Sequence, residues 1–92
     1  MIVPIDKFKN HPDVVVTELD DKEAVLLHLE TKNYYTLNDT GARIWQLLCS
    51  GLSISEIIKK IDSEYEMTFK SSKESVLKLV QDLLDEKLLT RI

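Results

Sequence analysis

The side chains in this chain that could do chemistry are one cysteine, two histidines and a few adjacent acids, and their spacing assembles no catalytic or metal-binding group. Cys49 is the only cysteine, so an internal disulfide is excluded, and with His11 and His28 as the only imidazoles there is no ligand set at zinc-like spacing. Neither a metal nor a cofactor is expected. Nothing close to Cys49 in sequence would lower its pKa, so it reads as a small apolar residue near a helix end rather than as a nucleophile. His28 lies in a strand-like run with no acid placed beside it and reads as structural or exposed. Asp20 with Asp21, and Asp85 with Glu86, read as solvated turns or helix faces. Gly41 and Gly51 are the only glycines, which leaves no phosphate-cradling loop, and no G-x-S-x-G elbow is present. The chain is therefore expected not to be an enzyme.

What remains is the chemistry of the main chain itself. Tyr34, Tyr35, Thr36 and Leu37 are aromatic, β-branched or apolar and suit a half-buried strand. Asn38 then offers an oxygen to the free N–H groups of a first helical turn, and Asp39 places negative charge at the positive end of that helix. Ala42, Ile44, Trp45 and Leu48 follow at helical spacing, with Trp45 as the central core anchor. A strand at the edge of a sheet presents unpaired N–H and C=O groups to which an extended peptide can add. On that reading Tyr34 to Leu37 form a ladder, with Tyr34 and Tyr35 on opposite faces. A proline at Tyr35 is expected to remove binding from a chain that still folds.

The elements that would position this edge can be read in order. Residues 1–12 carry Pro4 and Pro12 and read as an arm, with a short edge strand at Ile2 to Ile5. Val14 to Leu19 and Ala24 to Glu30 read as a hairpin around the polar turn at Asp20 to Glu23. In the second run Val25, Leu27 and Leu29 make one fully apolar face, while Ala24, Leu26, His28 and Glu30 make a mixed one. Thr31 to Asn33 connects to the third strand, giving a three-stranded antiparallel meander. Gly51 can end the first helix in the left-handed conformation. Ser53 to Glu56 is a capping box opening a second helix with Ile54, Ile57, Ile58, Ile61 and Tyr65 on one stripe. Met67 and Phe69 are expected to fold back onto the core. Ser71 to Glu74 repeats the capping spacing and is expected to open a third helix running to about Glu86. The apolar arc of that helix, Val76, Leu77, Leu79, Val80, Leu83 and Leu84, spans about 160° and exceeds the roughly 100° that one core-facing side needs. A groove beside the edge strand and full burial between sheet and helices are equally compatible with this excess. Leu88 to Ile92 reads as a short extended tail.

Length and charge bound the rest. Ninety-two residues support one core, so residues 1–92 are expected to form a single domain. No apolar run approaches the roughly 20 residues that cross a bilayer, and no secretion signal opens the chain, so a cytoplasmic location is expected. The net charge of −4 argues against sequence-independent affinity for nucleic acid, which comes from Lys and Arg neutralising phosphates.

The element order, His11-Pro12-Asp13-Val14-Val15, the run Ala24 to Leu27, Tyr35-x-Leu37-Asn38-x-Thr40-Gly41-x-x-Ile44-Trp45 and the closing Leu83 to Leu89 together resemble the PqqD-like family. Its members are peptide-recognition elements in pathways that make ribosomally synthesised, post-translationally modified peptides. The resemblance implies an α+β fold, winged helix-turn-helix-like, with a three-stranded antiparallel sheet followed by three helices. It also implies that the leader segment of a precursor peptide adds as a strand beside the third strand and against the third helix. Carried over, the peptide-binding residues would be Asn33, Tyr34, Tyr35, Thr36 and Leu37 with Lys73, Val76, Leu77, Val80 and Leu84. The partners implied are the precursor's leader and a modifying enzyme, either a leader protease and cyclase of the lasso-peptide type or a radical-SAM enzyme. Ser75 stands where the family commonly has Asp, and Lys87 where it often has Gly.

Two rival classes share this pattern of elements. A winged helix-turn-helix regulator would place a basic helix on DNA, yet the third helix mixes Lys73, Lys78, Gln81 and Lys87 with Glu74, Asp82, Asp85 and Glu86. A self-associating subunit would pair its edge with a second copy as a homodimer, which concentration-dependent sedimentation detects.

Overall fold

The computed structural model describes residues 2–19, 23–65 and 68–92, and leaves the side chain of Phe69 undescribed. The expected positions of Met67 and of the Phe69 side chain, and most of the Asp20 to Glu23 turn, lie outside the described residues. Three helices, α1 (Asp39–Cys49), α2 (Ile54–Tyr65) and α3 (Phe69–Asp85), follow strands β1 (Phe8–Asn10), β2 (Val14–Glu18), β3 (Ala24–His28) and β4 (Tyr34–Leu37), and β5 (Leu89–Arg91) closes the chain. The strands form two antiparallel sheets, a three-stranded one in the order β2-β3-β4 and a two-stranded one of β1 with β5. The first is the expected meander, and its third strand is at an edge.

The second sheet replaces the expected arm and gives the expected extended tail a partner. No strand forms at Ile2 to Ile5; instead Phe8, Lys9 and Asn10 pair with Arg91, Thr90 and Leu89. Phe8, Leu88 and Leu89 are buried in the one core. Burial of a large aromatic selects this pairing over a solvated arm, because a phenyl ring left in water forfeits the hydrophobic gain of roughly 2–3 kcal/mol. The preceding residues cap α2: the carbonyls of Asp6 and Pro4 accept from the N–H groups of Ile54 and Ser55 at 3.1 and 2.9 Å. These are donors that a helix start leaves unpaired. Asp6 Oδ2 also accepts from the Val3 N–H at 3.0 Å and from Arg91 Nη1 at 2.6 Å. The Val3 and Arg91 bonds hold its carboxyl below the usual carboxylate range.

Local signals set the helix ends. Asn38 Oδ1 accepts from the Gly41 N–H at 2.8 Å, and Gly51 takes φ +84° after α1. Ser53 and Glu56 form the reciprocal capping box, at 2.9 and 3.3 Å. The third helix starts earlier than its second capping pattern suggests. Thr68 is the N-cap, accepting from the Ser71 N–H at 3.2 Å, so Ser71 and Ser72 lie within the first turn and Ser72 is buried. At the far end the Lys87 N–H donates to Leu84 O and the Leu88 N–H to Leu83 O, which is a Schellman closure. Lys87 sits at φ +60° there, where the chain has a side chain and glycine would be unstrained. Lys87→Gly is expected to raise the urea midpoint by the equivalent of about 1 kcal/mol at an unchanged slope.

Trp45, nearly fully buried, packs with Leu26, Leu37, Ile44, Leu48, Ile57, Ile61, Val76, Val80 and Leu83 in a core between sheet and helices. The sheet contributes its mixed face: Ala24, Leu26 and His28 are buried. Its fully apolar face turns outward, with Leu27 36% and Leu29 45% exposed. His28 is tolerated inside because its Nδ1 accepts from the N–H groups of Glu30 and Thr31 at 3.3 and 3.4 Å, and its ring lies 4.7 Å from that of His11. It is a structural histidine that shapes the turn into β4. Cys49 is an exposed free thiol, and desolvation by its surroundings raises its pKa, which disfavours the thiolate. No helix among the described residues is long and apolar enough to cross a membrane.

Candidate functional site: a free strand edge over a cavity

The turn that His28 organises also fixes which atoms of β4 are free. The His28 N–H donates to Asn33 O at 2.9 Å, so residues 28 and 33 are a hydrogen-bonded pair. Such pairs alternate in an antiparallel ladder. The register pairs Leu26 with Tyr35 and Ala24 with Leu37, and pairs Leu27 with Tyr34 and Val25 with Thr36. Asn33, Tyr35 and Leu37 therefore bond back to β3, while the N–H and C=O of Tyr34 and Thr36 face the open side. Of the expected ladder, Tyr34 and Thr36 supply the free groups. Proline at Tyr35 would remove a bond within the sheet, so it cannot serve as the folded, non-binding control that the sequence suggests.

Side chains divide the same way. Tyr34 (72% exposed) and Thr36 point outward, whereas Leu37 is buried and Tyr35 is half-buried on the inner side. The Tyr35 hydroxyl donates to Asp82 Oδ2 on α3 at 3.3 Å, a tie between the edge strand and the helix. Burial raises the Tyr35 phenol above its usual range, and the charges of Asp82 and Glu86 raise it further. Beneath the edge lies a cavity of about 370 Å³ lined by Tyr35, Asn38, Thr40, Gly41, Ile44, Ser75, Lys78, Leu79 and Asp82. A second hollow, along Thr36 and Leu37 to Glu23, continues it. That size accommodates one or two side chains of a ligand lying along β4. Gly41 keeps the wall thin: a Cβ there would come within 3.2 Å of Asn38 Oδ1 and 3.4 Å of a Leu37 methyl.

The helix residues that the resemblance carried over stand away from this cavity. Val76 and Val80 are fully buried and belong to the core, Leu77 and Leu84 pack against that core, and Lys73 is exposed; none of the five lines the cavity. The α3 residues that do are Ser75, Lys78, Leu79 and Asp82. The rotation of the helix about its axis is set by packing against α2 and β5. An apolar arc of about 160°, where roughly 100° suffices, leaves that rotation open by about 60°. Asn38, Thr40 and Gly41 are also part of the cavity, and their signal in the sequence is the helix start that follows the strand directly.

Comparison with known proteins then places the chain. The profile described as "Coenzyme PQQ synthesis protein D (PqqD)" matches residues 23–89. The chain belongs to the PqqD family. Among solved structures, one described as "TbiB1 in Complex with the TbiA(beta) Leader Peptide" is 36% identical with a TM-score of 0.81, covering 88% of this chain and 93% of that one. Another, "Lasso peptide synthetase B1 complexed with the leader peptide", is 30% identical with a TM-score of 0.82, covering 91% and 98%. No curated protein matches the chain. The PqqD fold thus spans the described elements, as the resemblance implied.

Proposed function

We propose that this PqqD-family protein binds the leader segment of a ribosomally made precursor peptide by β-augmentation. The leader adds beside β4 through Tyr34 and Thr36 and sends alternate side chains into the cavity against α3. The observation that carries the reading is the free edge of β4 opening onto that cavity, in a fold shared with two solved structures that are both complexes with a leader peptide. Binding requires no catalytic group, and the protein acts by holding its guest in an extended form. The test is an anisotropy titration with the labelled leader-half peptide of a precursor sought among the short reading frames next to this gene. Saturation at micromolar protein supports the reading. A flat trace up to tens of micromolar, combined with a shift of random duplex DNA at low salt, would replace it with the regulator class.

The enzyme served would be the leader protease and cyclase of a lasso-type pathway, in keeping with the relatives. The outward face of the sheet supports an enzyme partner. Val15, Leu27 and Tyr34 form a row across β2, β3 and β4, 44%, 36% and 72% exposed. Exposed apolar rows of this kind mark contact surfaces, and a leader strand would lengthen this one. Leu27→Asp is expected to leave leader affinity within about twofold while reducing leader cleavage by the protease at least tenfold, on the scale of a buried anchor. Equal cleavage rates in the two proteins would remove this face from the partner contact.

A further inference from the structure

The wall of the cavity beneath β4 carries two residues of opposite charge, Lys78 and Asp82. Tyr35 meets Asp82 through its hydroxyl, and the charge of Glu86, the C-cap of α3, also acts on that phenol. Lys78 stands one turn before Asp82 in the same wall. Asn38, Thr40 and Gly41 line the cavity too and bring the start of α1, the positive end of its helix dipole, to it. Lys78 has no ion-pair partner among the described residues. Asp82 accepts through one carboxylate oxygen from a neutral phenol, leaving capacity for a cation.

The spacing fits a strand. Residues four apart on a helix advance about 6 Å along its axis, and side chains on one face of a strand recur at about 6.6–6.8 Å. Two successive inward side chains of an added strand can therefore each stand opposite one of these two charges, with Leu79 and Ile44 as apolar lining of the same cavity.

We propose that the cavity selects the charge polarity of the strand it receives: a basic inward side chain meets Asp82, and an acidic inward side chain two residues away meets Lys78. The proposal rests on the leader-binding reading and specifies its ligand. It makes this site choose among extended peptides of similar apolar pattern, and it fixes the register of the guest, because a slip by one residue turns both charges outward. Tyr35 acts as a positioning residue, holding Asp82 toward the cavity.

The experiment uses the same leader-half peptide, substituted singly with Lys and with Glu along its strand-forming stretch. Each version is titrated against the wild-type protein, Lys78→Glu, Asp82→Lys and Asp82→Asn, all checked for folding by circular dichroism. One peptide position is expected to favour Lys over Glu by about fivefold, the scale of a partly exposed ion pair. That preference should reverse in Asp82→Lys and vanish in Asp82→Asn. A second position, two residues away, should favour Glu and reverse in Lys78→Glu. Absence of either reversal, or a spacing other than two, overturns the polarity. If the parent peptide still binds and is lost on Thr36→Pro, the leader-binding reading stands without it; if the parent peptide does not bind at all, both are overturned.

Discussion

Thr36→Pro is expected to weaken leader binding about a hundredfold while the protein keeps its fold, and the contrast with Tyr35→Pro is what makes the result informative. The Thr36 N–H faces away from β3, so proline there removes no bond within the sheet. It removes one donor from the ladder with the guest and places a ring where the guest's carbonyl would lie. A buried acceptor left unmade costs about 1–3 kcal/mol, which corresponds to as much as two decades in Kd. Tyr35→Pro instead removes the bond to Leu26 and the tie to Asp82, and should lower the urea midpoint as well. Anisotropy titrations beside urea curves separate the two. Equal affinity of Thr36→Pro and wild type would show that the guest does not pair with β4.

The largest effect on stability is expected at Phe8. Phe8→Ala should cost about 3–5 kcal/mol, a large share of the 5–15 kcal/mol typical of a domain. The ring is fully buried, the Arg91 guanidinium lies 5.3 Å from its centroid, and its strand pairs with β5. The segment just before it supplies the Asp6 and Pro4 carbonyls to the start of α2. Loosening Phe8 therefore frays both the closing strand and the second helix. A urea midpoint within error of wild type would mean that the core does not depend on this ribbon.

These two positions also mark how far the sequence could be read. Signals within a few residues were legible: Asn38 opening α1, Gly51 closing it, the Ser53 and Glu56 box, Trp45 in the core, and a third strand at the sheet edge. Pairings between distant segments were not. Phe8 meets Arg91 across nearly the whole chain, and neither run is long or periodic enough to announce a strand. The inward face of β3 was hidden for another reason. Alternation usually points apolar residues to the core, but here the more apolar face looks outward and the core takes His28 along with Leu26. The start of α3 was read at Ser71, and the N-cap is Thr68, three residues earlier. The free edge was foreseen from Tyr34 to Leu37, yet which atoms are free follows only from the register, and the wall of Lys78 and Asp82 only from how α3 is rotated.

The three-stranded sheet has a bare margin on both sides, β2 as well as β4. When β4 holds no guest, the two margins of different copies can pair head to tail, a union that each new copy can extend. Each joint is weak, since β4 is four residues long and α1 begins at Asp39, leaving two residues to offer bonds. A leader seated on β4 ends that growth by occupying one of the two margins. The guest then serves its host as a chain terminator, and the protein should be least prone to precipitate when it is produced together with its peptide.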